Sequence, residues 1–315
     1  MMKVLITELM WEEGIEALGN ECAVDYDQEL WRDRKRLLAK LKDVDGLIVR
    51  NQTQVDEELL RHAPHLKVIG RLGVGLDNIN LAACRQRHLT VVYAKNANAI
   101  SVAEYVMGAM LSVSRTFSEA SRDVKQGNWN RKQFTGREIY GKTLGLIGVG
   151  EIAGRIAKRA TAFGMQVIGY DPFIMAYDFP IAEVGIKLST FEELLQASDY
   201  ISIHVPLTEA TKNLLTASEF AIMKPSCCLI NTSRGGIVNE SDLADALKAG
   251  QISKAILDVL QQEPASNHHP LIETNKAILT PHIAGLTEES QVRTSLLVAT
   301  EVNKVLDGRR SLCAV

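Results

Sequence analysis

Short apolar runs alternate with amphipathic stretches along roughly the first third of the chain. The apolar runs cover residues 4–6, 47–49, 67–70 and 90–93, and the amphipathic stretches between them include residues 30–41 and 56–62. A short apolar run followed by a helical pattern is typical of a βα unit, and repeated units of this kind build a parallel sheet. The pattern therefore predicts an α/β domain in this part of the chain.

The same alternation begins again after Gly141. Its apolar runs cover residues 144–147, 167–170, 200–204, 229–231, 255–257 and 278–279. A last helical pattern, over residues 288–306, is expected to return to the first domain. We therefore predict an α/β protein with two doubly wound parallel-sheet domains, Rossmann-like or flavodoxin-like, with a cleft between them. One domain would comprise residues 1–98 plus 287–315, and the other residues 99–286.

A single long helix is predicted over residues 101–125, between the two series of βα units. Ser101 and Glu104 match a capping box, in which both side chains accept hydrogen bonds from free backbone N–H groups. Apolar residues then recur at spacings of three and four, and Gly127 is expected to end the helix. Such a helix would join the domains or line a dimer interface, and an ordinary core helix fits the same spacing.

The composition excludes several classes of protein. With a formal net charge of -3, the chain offers no basic field for nucleic acid or an anionic membrane. Its five cysteines form no C-x-x-C pair and no zinc spacing, so we expect no metal site and reduced thiols in a cytoplasmic protein. The N-terminus does not resemble a signal sequence, and no apolar stretch approaches the roughly 18 residues that span a bilayer.

A dinucleotide-binding pattern lies at residues 144–154, where an apolar run leads into Gly-x-Gly-x-x-Ala and then into a helical pattern. Gly148 permits a tight turn, and Gly150 lets the backbone approach a pyrophosphate closely. The first helical residues, Glu151 and Ile152, belong to a helix N-terminus that would offer N–H donors to the phosphates. A glycine-rich βα turn without a ligand is the alternative interpretation.

Asp171 supplies the context that favours NAD. It follows the next apolar run, where an acidic residue is expected to bind the ribose hydroxyls. Its carboxylate would repel a 2′-phosphate, and no arginine follows in residues 172–174, so NAD is favoured over NADP. The alternative is an aspartate that only begins a turn before Pro172.

Three later segments each place polar side chains after a short apolar run, at residues 231–236, 258–264 and 280–285. In this order, after the glycine pattern, they resemble the D-isomer-specific 2-hydroxyacid dehydrogenases over nearly the whole chain. The resemblance implies NAD-dependent hydride transfer at C2 of a small D-configured 2-hydroxy acid. It also implies an active site of Arg234, Glu263 and His282. Because the chain stops at Val315, we expect no appended regulatory domain.

The chemistry of these three side chains agrees with that assignment. Histidine has an ordinary pKa near 6.5, so His282 suits both removal and return of the hydroxyl proton. A carboxylate such as Glu263 against the other ring nitrogen fixes the tautomer and favours the charged imidazole. The planar guanidinium of Arg234 can bind the substrate carboxylate with two hydrogen bonds. A loop histidine, a surface arginine and a turn glutamate are the alternatives.

The resemblance implies further contacts with the cofactor. Asp258 corresponds to a residue near the nicotinamide, and the His-x-Pro turn of His204, Val205 and Pro206 corresponds to one beside the adenosine. Other cofactor contacts are expected at Val74, Thr232, Ser233, Ala284 and Gly285. The adjacent His268 and His269 lie in a polar loop, and we expect them to be solvated rather than bound to a metal.

Additional arginines bear on the substrate. Arg50 and Arg71 follow two strands of the first domain, and both would be redundant for glyoxylate, whose only anionic group Arg234 can bind. They favour a small anionic 2-hydroxy or 2-keto acid that carries a second anionic group, with surface or structural charges as the alternative. The predicted substrate-binding residues are Arg50, Asn51, Arg71, Gly73, Val74, Gly75 and Arg131.

Within the family, the pattern most resembles the 3-phosphoglycerate dehydrogenase branch, which implies a homodimer in which Arg131 reaches the neighbouring subunit's site. Leu72 and Val74 depart from that branch, and the same segment also resembles relatives that oxidise (S)-sulfolactate. A glyoxylate or hydroxypyruvate reductase and an NADH-sensing corepressor remain as further alternatives.

Overall fold

The computed structural model describes residues 1–315, which divide into two compact units. We call residues 1–98 together with 286–315 the terminal unit, and residues 99–285 the central unit. None of the helices combines the length and the apolar character that a membrane-spanning segment needs.

The terminal unit is built on a five-stranded parallel sheet with the strand order β2-β1-β3-β4-β5. Its strands are β1 (Lys3–Ile6), β2 (Ala23–Tyr26), β3 (Gly46–Val49), β4 (Val68–Arg71) and β5 (Thr90–Tyr93). The helices between them are α1 (Glu12–Gly19), α2 (Arg34–Lys40), α3 (Glu57–His62) and α4 (Leu81–Gln86). The edge strand β2 was absent from the predicted set because its side chains are mostly exposed, so no apolar run marks it.

The central unit contains a seven-stranded parallel sheet with the strand order β12-β11-β10-β9-β6-β7-β8. Its strands are β6 (Thr143–Ile147), β7 (Gln166–Tyr170), β8 (Lys187–Leu188), β9 (Tyr200–Ile203), β10 (Cys228–Asn231), β11 (Lys254–Leu257) and β12 (Ala277–Leu279). Its helices are α5 (Ala99–Ser114), α6 (Phe117–Lys125), α7 (Glu151–Ala162), α8 (Phe179–Ala182), α9 (Phe191–Ala197), α10 (Ala217–Ile222) and α11 (Glu240–Ala249).

Strand β6 occupies the position that matters most for ligand binding. It pairs with β7 on one side and with β9 on the other, so the direction of the chain connections reverses there. In open parallel sheets a ligand binds at the carboxyl end of the strands beside such a switch point. Apolar clusters cover both faces of this sheet, one with α5 and α7 and the other with α9, α10 and α11.

The predicted helix over residues 101–125 is wrong in two respects. The segment forms two helices, α5 and α6, and Thr116 between them has a non-helical backbone with φ -73° and ψ 64°. Apolar spacings of three and four continue across the break, so the pattern alone does not reveal it. Helix α5 also begins before Ser101, which therefore lies inside the first turn and is buried rather than capping. Gly127 does adopt a left-handed φ of 84° just after α6, as predicted for the terminating glycine.

The last helix, α12 (Glu288–Leu306), has the bounds that its apolar pattern predicts. It begins with a capping box in which Thr287 accepts a hydrogen bond from the Ser290 N–H. Its buried Val298 and Val302 join Leu18 of α1 in one apolar cluster on the sheet of the terminal unit. The opposite face of that sheet is covered by a second cluster, to which α2, α3 and α4 contribute.

Candidate active site

The glycine turn after β6 has the geometry of an anion-binding site. Gly148 has φ 88°, and a Cβ there would lie 2.8 Å from the carbonyl oxygen of His204, so only glycine fits. Gly150 is the N-cap residue of α7, no side chain caps this helix, and a Cβ on Gly150 would meet no atom within 4 Å. The first N–H groups of α7 can therefore donate to a phosphate, and these residues fit the pyrophosphate of NAD.

Asp171 follows β7 and binds the glycine turn directly. Its Oδ2 accepts a hydrogen bond from the Val149 N–H at 2.9 Å, and its Oδ1 accepts one from the Phe173 N–H at 2.9 Å. The turn-forming role that was the alternative interpretation is therefore present in the structure. Each carboxylate oxygen has a second lone pair, so ribose binding by Asp171 stays a prediction that this geometry allows.

The His-x-Pro turn follows β9, beside the glycine turn. Nε2 of His204 lies 2.8 Å from Oγ of Ser202, and the His204 N–H donates to the carbonyl of Ile147 at 2.7 Å. Burial lowers the pKa of His204 to about 3, so the imidazole is neutral at neutral pH. Val205 and Pro206 continue the turn, and the adenosine contact predicted for these three residues stays a prediction.

Asn231 organises the turn that carries Arg234, a role that our interpretation of the sequence did not assign. Its Oδ1 accepts hydrogen bonds from the N–H and Oγ of Ser233 at 3.0 and 2.8 Å, and its Nδ2 donates to the Arg234 carbonyl at 2.9 Å. Oγ1 of Thr232 is buried without a hydrogen-bond partner. A buried hydroxyl of this kind is normally satisfied, which fits the predicted contact of Thr232 with a cofactor group.

Arg234 lies close to the loop that carries Glu263. Its Nη1 donates to the Ser233 carbonyl at 2.6 Å, and its positive charge helps to lower the pKa of Glu263. A Cβ on the next residue, Gly235, would lie 2.0 Å from the carbonyl oxygen of Leu260. The turn after β10 and the loop after β11 are therefore in direct backbone contact.

Glu263 and His282 form the hydrogen-bonded pair that the sequence interpretation requires. Oε2 of Glu263 lies 2.9 Å from Nδ1 of His282, and Oε1 of Glu263 accepts the Leu260 N–H at 3.0 Å. Burial raises the pKa of Glu263, but the hydrogen bonds from His282 and Leu260 and the charges of His282 and Arg234 outweigh it and leave the pKa lowered. Because an ionised Glu263 can only accept a hydrogen bond, Nδ1 of His282 carries the ring proton. Nε2 of His282 is therefore the basic atom.

Asp258 binds the turn that carries His282. It is 1% exposed, and its Oδ1 accepts hydrogen bonds from the Thr280 hydroxyl at 2.6 Å and the Ile283 N–H at 2.8 Å. Its Oδ2 accepts the Ala284 N–H at 2.7 Å. These bonds lie on both sides of His282, so Asp258 orients this turn. Its place near the nicotinamide stays a prediction.

Tyr105 on α5 extends this network and is a second residue that the sequence interpretation missed. Its hydroxyl lies 2.6 Å from Oγ1 of Thr280. Because Thr280 donates its own proton to Asp258, Tyr105 donates to Thr280. Tyr105 is one residue of an apolar helical pattern, so no local signal in the sequence marks its contact with a turn 175 residues away.

In the terminal unit, Arg50 and Asn51 begin a turn that is closed by Glu8, another residue without a predicted role. The Glu8 carboxylate, only 3% exposed, accepts the backbone N–H groups of four successive residues at 2.8 to 3.2 Å. Those residues are Arg50, Asn51, Gln52 and Thr53. The N–H groups of this turn are thus used by the protein itself, so recognition of a ligand there must use the Arg50 and Asn51 side chains. Burial lowers the pKa of Arg50, and the Glu8 charge opposes that effect.

Arg71 lies folded over the glycine-rich turn that follows β4. Its Nη1 donates to the Leu72 carbonyl at 2.8 Å, and a Cβ on Gly73, whose φ is 149°, would lie 1.7 Å from the same Nη1. Val74 is 37% exposed and Gly75 is partly buried, so both are accessible on this turn. Gly73 is therefore required for this placement of the Arg71 guanidinium.

Arg131 lies in an exposed segment of the central unit that follows α6. Its N–H donates to the Trp129 carbonyl at 3.1 Å, and the Trp129 side chain is 76% exposed. No residue of α6 is buried. The role of Arg131 in substrate binding stays a prediction.

The expectation for the adjacent histidines is wrong for one of them. His268 is exposed, as predicted, but His269 is only 9% exposed, and its Nε2 lies 2.7 Å from Oε2 of Glu240. The polar character of the loop does not reveal a partner at the start of α11, which explains the error. No three histidine, cysteine, aspartate or glutamate side chains come together as a possible metal site, and the five cysteines are buried free thiols.

Comparison with known proteins identifies the family. The family model described as D-isomer specific 2-hydroxyacid dehydrogenase, NAD binding domain, matches residues 107–284. The chain is 42% identical over 310 residues to D-3-phosphoglycerate dehydrogenase of Methanocaldococcus jannaschii, a match that covers 98% of this chain and 58% of that protein. It is 43% identical over 311 residues to (S)-sulfolactate dehydrogenase of Chromohalobacter salexigens, which covers 98% of this chain and 100% of that protein.

A solved structure shares the fold. The crystal structure of a protein from Thermus thermophilus superposes with a TM-score of 0.91 at 30% identity, with complete coverage of both chains. The chain spans less than three fifths of the length of the phosphoglycerate dehydrogenases that it matches. The predicted fold class and the family resemblance are confirmed. The chain belongs to the D-isomer specific 2-hydroxyacid dehydrogenases, and most of its central unit is the NAD-binding domain of that family.

Proposed function

We propose that this protein is an NAD-dependent dehydrogenase for a small 2-hydroxy acid that carries two anionic groups, with 3-phosphoglycerate as the preferred candidate. The observation that carries the proposal is the hydrogen bond between Glu263 and His282, on a loop in backbone contact with the turn of Arg234. A base, a carboxylate that orients it and a fixed cation are the groups that oxidation of a 2-hydroxy acid requires.

Each of the three side chains has one task. Nε2 of His282 takes the proton of the C2 hydroxyl as the C2–H bond breaks, which leaves a 2-keto acid and an imidazolium ion. Glu263 stabilises that imidazolium through Nδ1, and its lowered pKa keeps it ionised at neutral pH. Arg234 holds the substrate carboxylate and polarises the adjacent C2 oxygen. NAD, when it is bound, accepts the hydride.

Binding of NAD would use the residues around the switch point of the central sheet. Gly148, Gly150 and the first turn of α7 would hold the pyrophosphate, and Asp171 would bind the ribose. Thr232, with its unpartnered hydroxyl, and Asp258 would lie toward the nicotinamide. His204, Val205 and Pro206 would lie beside the adenosine. The remaining residues of the predicted set are Val74, Glu151, Ile152, Ser233, Ala284 and Gly285.

A second anionic group on the substrate is supported by two arginines of the terminal unit. Arg50 lies on a turn whose backbone N–H groups Glu8 binds, and the guanidinium of Arg71 donates to the Leu72 carbonyl and lies against Gly73. Two relatives of this chain are named for phosphoglycerate and for sulfolactate. A phosphate and a sulfonate make similar demands on arginine, so (S)-sulfolactate is the second candidate substrate.

Initial rates with NAD and a panel of acids test the proposal. The panel is 3-phosphoglycerate, (S)-sulfolactate, glycerate, lactate and glyoxylate (the last with NADH), and NADP serves as the cofactor control. Turnover confined to one doubly anionic acid supports the proposal and names the substrate. Turnover of glycerate or glyoxylate alone would show that Arg50 and Arg71 do not bind a second anion. NADH binding without turnover of any acid would favour a sensor of NADH.

We also propose that the chain forms a homodimer. The support is the helix α6, which buries none of its residues, and the exposed Trp129 beside Arg131. Light scattering on the purified protein gives the molar mass directly, and a monomer at micromolar concentration would contradict this proposal.

A further inference from the structure

The pair formed by Glu240 and His269 lies outside the set of residues assigned above. Glu240 is the first residue of α11, and His269 lies in the segment between β11 and β12. Their side chains are 9% and 10% exposed, and Nε2 of His269 lies 2.7 Å from Oε2 of Glu240. A buried polar pair of this kind is a weak source of stability, since desolvation offsets the attraction. We therefore looked for a role of the pair in its contacts with the loop that carries Glu263.

The direction of the hydrogen bonds follows from the neighbours of His269. Nδ1 of His269 accepts the Leu271 N–H at 3.3 Å, so the ring proton resides on Nε2 and is donated to Glu240. The second oxygen of Glu240, Oε1, accepts the N–H of Gln261 at 2.6 Å. The carboxylate thus joins a buried imidazole to the backbone of the loop after β11.

The peptide bond between Leu260 and Gln261 is a shared support of the proposed active site. Its Gln261 N–H is held by Glu240, and the Leu260 N–H, one residue earlier, is held by Oε1 of Glu263. The same peptide packs against Gly235, where a Cβ would lie 2.0 Å from the Leu260 oxygen and 2.4 Å from the Gln261 nitrogen. A shift of this peptide would displace Glu263 and the Arg234 turn together.

We propose that Glu240 and His269 are a positioning pair, which fixes the Leu260–Gln261 peptide and thereby orients Glu263 toward His282. Neither residue touches the reacting atoms. The inference rests on the proposed function, in which His282 is the base and Glu263 is the carboxylate that orients it. A displacement of Glu263 by about 1 Å is enough to lower the rate severely when a catalytic group must be held in line.

Three variants and one control test the pair. His269→Leu removes the donor, Glu240→Gln leaves one acceptor for two N–H groups, and His269→Gln keeps both a donor and an acceptor. His268→Leu is the matched control, since this neighbour is exposed. We expect kcat to fall about tenfold in His269→Leu and Glu240→Gln, which corresponds to about 1.4 kcal/mol. The Kd of NADH should stay unchanged in every variant, and His269→Gln should recover most of kcat.

A titration of the Glu263 carboxyl carbon by NMR gives a readout that does not depend on turnover. The pKa of Glu263 is lowered by its hydrogen bonds to Leu260 and His282, so it should rise in His269→Leu and stay unchanged in His268→Leu. If the wild-type protein oxidises no 2-hydroxy acid, the proposed function fails, and this titration still decides whether the pair orients Glu263.

Two results would overturn the proposal. One is a folded His269→Leu protein with wild-type kcat and wild-type titration of Glu263. The other is a lower melting temperature in that variant with unchanged kcat per folded molecule, which would make the pair merely structural. If His269→Leu does not fold, Glu240→Gln decides in its place, and wild-type kcat there would refute the positioning role.

Discussion

His282 holds its Nδ1 atom 2.9 Å from Oε2 of Glu263 while its own backbone lies in the left-handed region, with φ 57°. A side chain other than glycine in this region costs about 1–2 kcal/mol. The turn keeps this conformation because Asp258 binds the Thr280 hydroxyl and the N–H groups of Ile283 and Ala284, on both sides of the histidine. Backbone strain that neighbouring bonds maintain in this way is common at catalytic residues.

Replacement of His282 by asparagine should abolish most turnover. Asparagine tolerates a left-handed backbone better than most residues other than glycine, so the turn should persist while the base is lost. We expect kcat to fall by about 10²–10⁴, the usual contribution of a general base. The Kd of NADH, measured by its fluorescence, should remain the same. Normal turnover in this variant would refute the role of His282.

Glu263→Gln tests the carboxylate partner through activity and through pH. Gln cannot stabilise the imidazolium, so kcat should fall roughly tenfold or more. Because the folded-state pKa of Glu263 is lowered, its ionised form stabilises the fold above the ordinary carboxyl pKa, and this contribution is lost as the pH falls through the lowered folded-state value.

Urea unfolding of the wild type and Glu263→Gln at pH 7 and about pH 3.5 measures this contribution. The wild type should be the more stable protein at pH 7, and the difference should shrink at the acidic pH. A difference that grows as the pH falls would contradict the ionised state assigned to Glu263.

Apolar periodicity was sufficient to predict most of the two sheets. It missed β2, whose side chains are largely exposed, and β8, which has only two residues. It also joined α5 and α6, since a break of two residues does not disturb spacings of three and four. Such a pattern reports which side chains are buried, and an exposed edge strand carries little of that signal.

The candidate site could be predicted where its residues lie at or shortly after the end of a strand, as Asp171, Arg234 and His282 do. The residues that support the turns of the candidate site were not predicted. Glu8, Tyr105 and Glu240 bind these turns through contacts that the tertiary fold creates, and Asn231 organises a local turn whose role we did not assign. Glu8 binds a turn 42 residues away and Tyr105 a threonine 175 residues away. Contacts between residues so far apart in the sequence leave no signal in the local pattern around either residue.

Removal of the Asp171 carboxylate should weaken the preference for NAD over NADP. In Asp171→Ala the repulsion of a 2′-phosphate is lost, and we expect the ratio of kcat/KM for the two cofactors to move by about tenfold toward NADP, or about 1.4 kcal/mol. Asp171→Asn is the companion variant, since it can still accept a hydrogen bond from the Val149 N–H without the charge. If both variants keep the wild-type ratio, another residue selects the cofactor.

Gly73→Ala should impair substrate binding through Arg71. The new Cβ would lie 1.7 Å from Nη1 of Arg71, so the guanidinium must move. We expect the KM of the doubly anionic substrate to rise about tenfold, or about 1.4 kcal/mol, with little change in kcat. Gly308→Ala is the control, because Gly308 also has a positive φ, at 75°, and a Cβ there meets nothing within 4 Å. An unchanged KM in Gly73→Ala would show that Arg71 does not bind the substrate in this position.

His204 should make the protein sensitive to acid. Burial lowers its pKa to about 3 in the folded state, while an unfolded chain has a histidine pKa near 6.5. Between these values the unfolded state binds the extra proton, so stability falls as the pH decreases from about 6.5 toward 3, by at most about 1.4 kcal/mol per pH unit.

His204→Asn removes this proton uptake, and its free energy of unfolding should change less between about pH 6 and pH 4 than that of the wild type. The exposed His268 serves as the control position, since His268→Asn should leave the slope unchanged. Equal slopes for His204→Asn and the wild type would mean that His204 is protonated in the folded protein at these pH values, which would contradict its lowered pKa.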